Sequence, residues 1–192
     1  MLEIAIWLSE TKWSIALHES LYMYPWIESA HVLSICFFIG ILLFVDLRLM
    51  GVAFTKLPIS EMNKKVLPWS LFGFGLMMLT GFLLFYAIPV RSYQNIFFRF
   101  KVILILFAGL NAFLFHRQMK LEGMKWDEGK SIPKSVHIKA VASLVLWSGV
   151  IISGRMIAYN WFDCDRQPQP DWVNWAAGCV MDLNQMGGLD GI

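Results

Sequence analysis

Charge is what this 192-residue chain has least of: Asp, Glu, Lys and Arg make up 16% of it, hydrophobic residues 57%, and the mean hydropathy is +0.56. Soluble domains carry about 25% charged residues, so the balance speaks against one and for an integral membrane protein. The net charge is only +2, and no basic stripe interleaves with aromatics, which argues against a nucleic-acid partner. No phosphate-cradling glycine loop, nucleophile motif or convincing internal repeat is present, so soluble nucleotide chemistry is not expected either. A cleavable signal peptide is not expected, since it would need a basic start and an apolar stretch of about 7–15 residues, and Glu3 and Glu10 stand there instead. Cysteine is scarce, at three residues.

What the chain does have is long apolar runs. Residues 26–51 hold no charged side chain between His31 and Asp46. Roughly 20 residues at 1.5 Å each cross the hydrocarbon core, so this is a transmembrane helix. At 100° per residue, Glu28, His31 and Asp46 fall in a wedge of roughly 120° with Ser34 and Phe38 between them. Ionisable groups gathered on one side predict a wedge that faces protein or a cofactor rather than lipid. Further spans are predicted at 68–88, 98–115 and 136–159. In the second, Gly73, Gly75, Thr80 and Gly81 thin one side and admit a helix or a flat cofactor.

The expected fold is therefore all-α: an integral membrane four-helix bundle over 25–159, with an N-terminal interfacial helix in 1–24 and an extracytoplasmic C-terminal tail over 160–192. Residues 1–24 repeat Trp13, Leu17 and Leu21 at helical spacing, but Glu10, Lys12 and Glu19 interrupt them, so this segment should lie on the membrane. Pro25 is expected to mark the bend into the first span.

Let side A be the face where the first span begins. Side B then receives Arg48, Lys56, Lys64, Lys65, Arg117, Lys120, Lys125, Lys130, Lys134 and Lys139, ten in all. Side A receives Lys12, Arg91, Arg99, Lys101, Arg155 and Arg166, six in all. Basic loops stay inside, which makes side B cytoplasmic and both termini extracytoplasmic. In an oxidising compartment Cys164 and Cys179 can close a disulfide loop, or else remain two free thiols in the tail; Cys36 has no evident partner.

The four histidines fall into two pairs by depth: His18 and His31 on side A, His116 and His137 on side B. A b-type haem held by two imidazoles needs such a pair at one depth, so one or two haems are the expected cofactors, with these histidines as metal ligands. Arg155 lies 18 residues after His137, five helical turns and about 27 Å away on the same face. An interior arginine there needs an anion, either a haem propionate or Glu28.

Simpler readings stand beside this one. A histidine at a helix end is often an interfacial side chain, and Lys134 and Lys139 flank His137. Glu28 and His31 form one Glu-x-x-His unit where a di-iron bundle needs two. Met77 and Met78 are core filler more readily than copper ligands, for no Met-x-x-Met cluster accompanies them. Asp46 and Arg48 can pair with each other or with lipid phosphate.

Tyr24-Pro25, Glu28-Ser29-Ala30-His31, Asp46-Leu47-Arg48-Leu49-Met50-Gly51, Ser143-Leu144-Val145-Leu146-Trp147 and Gly154-Arg155-Met156-Ile157-Ala158-Tyr159 resemble the strings of a family of small four-span bacterial inner-membrane proteins of unassigned function. The likeness covers about residues 10 to 160 and implies a location but no chemistry. In architecture the chain is also similar to four-helix di-haem b-type cytochromes, departing from them in that His18 precedes the bundle. That similarity implies electron transfer within a larger oxidoreductase or respiratory assembly. Its partners would be membrane lipid, membrane or extracytoplasmic subunits and a quinone, with chemistry on any organic substrate left to a partner. The competing expectations are a haem-free membrane anchor or assembly subunit, and a small carrier or channel with Glu28, His31, Asp46 and Arg155 along its path.

Overall fold

The computed structural model describes residues 2–127, 133–159, 164 and 170–179, and their regular structure is entirely helical. The helices are α1 (Leu2–Ser9), α2 (Lys12–Glu19), α3 (Met23–Leu49), α4 (Ile59–Ala87), α5 (Pro89–Tyr93), α6 (Ile96–Asp127), α7 (Lys134–Tyr159) and α8 (Asp171–Ala177). Four of them, α3, α4, α6 and α7, are long and apolar enough to cross a membrane. They pair as two antiparallel hairpins, α3 with α4 and α6 with α7, and the hairpins close into a bundle through α3–α7 and α4–α6 contacts.

The bundle is built for lipid. Its outside shows Leu33, Phe72, Leu79, Phe107, Val145 and Ile152, while Ser34, Thr80 and Ser153 are buried inside. With no hydrophobic drive between helices in hydrocarbon, small and polar residues at the seams allow the close approach and hydrogen bonds that hold the helices together. Gly149 shows the closeness: a Cβ there would stand 2.9 Å from Leu104 Cδ1 across the α6–α7 seam. Asn111 Nδ2 donates to the Lys139 carbonyl at 2.9 Å across the same seam. Two apolar clusters fill the interior. One, at side B, joins Val45, Leu49, Ile59, Met62, Met119, Trp126, Val136 and Ala140. The other, deeper, joins Phe38, Met77, Ala108, Trp147 and Val150.

Helix boundaries differ from the expected ones where proline was read as an edge. Pro25 is the third residue of α3, in a first turn whose N–H groups lack helical partners in any case. Pro68 lies inside α4, which begins at Ile59; neighbouring helices let a membrane helix tolerate such a break. The N-terminal segment is two short helices rather than one. Thr11 caps α2, its Oγ1 accepting from the Ser14 N–H, and also meets Tyr86 Oη at 2.7 Å. Buried Ser14 donates to the Tyr86 carbonyl at 2.8 Å, so the segment is tied to the end of α4.

The C-terminal pieces gather at the same end. Gly178, at φ +67°, closes α8 in the left-handed conformation glycine favours. Arg99 Nη1 donates to the Ala176 carbonyl at 2.7 Å, and its guanidinium lies 4.7 Å from the Tyr93 ring centre. Cys164 and Cys179 are joined in a disulfide, with Cα atoms 5.6 Å apart, and Cys164 Sγ contacts the Gln94 carbonyl. Helices α1, α2, α5 and α8 thus cap side A. Lys130 and Arg166, counted among the basic residues of sides B and A, lie outside the described residues.

Candidate functional site

The predicted inner wedge of α3 is present for His31, Ser34, Phe38 and Asp46, which face the bundle, and absent for Glu28, which is exposed. Spacing explains the interior set: 31, 34, 38, 45 and 49 alternate steps of three and four with one longer step, the seam of a left-handed bundle.

His31 meets α4. Its Nδ1 is 2.9 Å from Thr80 Oγ1. The Thr80 hydroxyl donates its single proton to the carbonyl of Leu76 at 2.8 Å, with Met77 at 3.2 Å as a second acceptor. In that arrangement Thr80 accepts from His31, Nδ1 carries the imidazole proton and Nε2 presents a lone pair. Gly81 makes room for the ring: a Cβ there would lie 3.1 Å from His31 Cε1.

The positive charge acting on His31 is Lys101, from the second turn of α6. Lys101 is half-buried, and its Nζ lies 3.4 Å from where a Cβ on Gly154 of α7 would be. All four spanning helices thus meet at one level near side A: His31 from α3, Thr80 and Gly81 from α4, Lys101 from α6 and Gly154 from α7. Below this level the interior turns aromatic. Phe38 packs edge-on against Trp147 at 4.8 Å and tilted against Phe74 at 5.5 Å.

The remaining candidate residues do not join His31. His18 is exposed and lines a groove with Tyr24, Pro25 and Arg91; His31 lies seven residues beyond Tyr24, about 10 Å deeper. His116 and His137 are exposed. Asn111, Gln118, Ser135 and Lys139 hold the α6–α7 seam. His116 precedes Gln118 by two residues and His137 follows Ser135 by two, a rotation of about 200° that turns both away from it. Arg155, expected inside with an anion, is exposed, and its guanidinium lies 5.2 Å from the Tyr159 ring centre one turn on. Glu28, also exposed, does not supply that anion. No group of three or more metal-ligating side chains occurs among the described residues.

Two participants escaped the sequence reading. Lys101 was counted only as a side A charge; yet its spacing from Leu104 and Ala108, three and seven residues on, already put it on the inner face of α6. Thr80 was read as a small residue that thins the helix, and its hydroxyl's role needed the partner helix in place.

Fold and site together define a small four-span helical membrane protein with ionisable side chains held inside its bundle. The chain belongs to the family of unknown function DUF6644, whose model matches residues 19–160. No curated protein and no solved structure matches it. The match takes in the four spans, α2's final residue and α5, and leaves α1 and α8 outside.

Proposed function

We propose that this chain is a b-type haem protein of the bacterial inner membrane that passes electrons within a larger oxidoreductase or respiratory assembly, using one haem on side A. The observation that carries the reading is the contact of His31 Nδ1 with Thr80 Oγ1 at 2.9 Å. An axial histidine characteristically donates its second ring nitrogen to a neighbouring acceptor, which orients the ring and raises its basicity, and Thr80 is such an acceptor. Nε2 of His31 would hold the haem iron, and Lys101, at the level of His31, would offset the charge of a propionate. Bound haem would supply one-electron redox chemistry. This chain's residues would orient the ligand and neutralise carboxylates, and the Phe38–Phe74–Trp147 layer would exclude water. His116 and His137, turned outward, support no second intrachain site.

The C-terminal tail and both termini belong outside the cytoplasm in this reading, supported by the ten-to-six basic count and by the Cys164–Cys179 bond. The carrier or channel alternative has one observation in its favour, that His31, Lys101 and Asp46 lie inside the bundle at two depths. The aromatic layer between those depths weighs against it. A haem-free anchor differs from both in a single measurement: the reduced-minus-oxidised spectrum of the purified protein, with pyridine extraction. A b-type signal lost in His31→Ala and kept in His116→Ala is the expected result. A wild type free of haem, purified from haem-replete cells, ends the electron-transfer reading.

A further inference from the structure

At the opposite end of the bundle from His31, α3 buries a second ionisable group. Asp46 is 5% exposed, its Oδ2 has no hydrogen-bond partner, and its carboxyl is hydrogen-bonded by Ser143 of α7. Its neighbours in sequence, Val45 and Leu49, belong to the side B apolar cluster with Met62 of α4, Met119 of α6 and Ala140 of α7, none of which titrates.

Among the described residues, the charged and titratable groups of the packed helices at this end point elsewhere. Arg48 Nε donates to the Leu57 carbonyl, Lys139 Nζ to Gln118 and the Leu114 carbonyl, and Lys65 pairs with Glu61; Lys64, His116 and His137 are exposed. Among the described residues, the expected Asp46–Arg48 pair is replaced by a carboxyl with no cation hydrogen-bonded to it. An isolated buried carboxylate is costly, and an unsatisfied oxygen in hydrocarbon costs several kcal/mol as a general rule. Two kinds of occupant relieve it. Calcium takes six to eight oxygen ligands and magnesium six, and the described residues here offer Asp46 and Ser143. A proton needs only the carboxyl.

We propose that Asp46, held by Ser143, is a proton-binding site of the bundle interior that exchanges with water on side B. The step is a simple balance: carboxylate and a proton from side B water give the neutral acid, and the reverse returns it. Asp46 stands one turn from the side B end of α3, whereas His31 is 15 residues away, about 22 Å, beyond the Phe38–Trp147 layer. The site is independent of whether haem is bound.

The test is infrared spectroscopy of the full chain in lipid vesicles of defined orientation. The wild type should show a protonated-carboxyl C=O band that shifts in heavy water, weakens when the side B pH is raised, and ignores side A pH. Asp46→Asn should abolish that band, and Ser143→Ala, which keeps the acid, should shift its frequency. A wild-type spectrum without the band at any pH, or with a band that neither exchanges nor titrates, overturns the proposal; so does a response to side A alone.

Discussion

One hydroxyl, that of Thr80, determines which nitrogen of His31 is available. Donating to the Leu76 carbonyl, it would accept from Nδ1 and leave Nε2 as the acceptor of the ring. Thr80→Val removes the acceptor at nearly constant shape and should lower haem retention by about 10–100-fold, the usual effect of losing a histidine's orienting partner; Thr80→Ser should restore it. Gly81→Ala should act in the same direction, since its Cβ would sit 3.1 Å from the ring and push it off Thr80. Haem-to-protein ratio after purification reads both, and normal retention in both variants would sever the link between Thr80, Gly81 and the cofactor. Arg155 gives the contrast. Exposed and stacked on Tyr159, it should tolerate Arg155→Leu at a cost below about 1 kcal/mol, measured as thermal stability, with an unchanged spectrum.

Helices in hydrocarbon gain little from apolar contact with one another, so the α6–α7 hairpin depends on close packing and on a few hydrogen bonds across the seam. Asn111→Leu deletes the bond to the Lys139 carbonyl and should destabilise the bundle by roughly 0.6 kcal/mol and at most about 1.7 kcal/mol. Reversible unfolding in mixed micelles measures it; a loss far above that range would mean Asn111 supports more than this one contact. Proline taught the opposite lesson at this scale. Pro25 and Pro68 read as boundaries by local preference, yet both lie inside helices. Pro25 sits in a first turn, whose N–H groups lack helical partners in any case, whereas Pro68 lies within α4, where neighbouring helices let a membrane helix tolerate the missing bond.

For the molecule as a whole, side A collects the short helices, the disulfide and the His31–Lys101 level, and side B collects the loop charges and Asp46. A reporter enzyme fused after Ile192 should be active outside the cytoplasm, and thiol labelling before and after reduction should report the Cys164–Cys179 bond in cells. A cytoplasmic C-terminus would reverse the assignment of both sides. The side from which Asp46 exchanges its proton would then be extracytoplasmic, although its distance from His31 would not change.

Apolar run length alone determined that there are four spans, because the bilayer sets a minimum helix length that no other feature of the chain imitates. The inner face of α3 was legible in part for a similar reason: lipid penalises ionisable groups, and His31 and Asp46 share the protein-facing side, whereas Glu28, near the start of the helix, is exposed. Depth arithmetic along one helix, however, says nothing about rotation of the next. Only the packed bundle turned His116, His137 and Arg155 outward, brought Lys101 to the level of His31, and set Thr80 against Nδ1. Those placements depend on how four helices rotate against one another, which is decided by close contacts such as Gly81 on His31 and Gly149 on Leu104 between residues far apart in sequence.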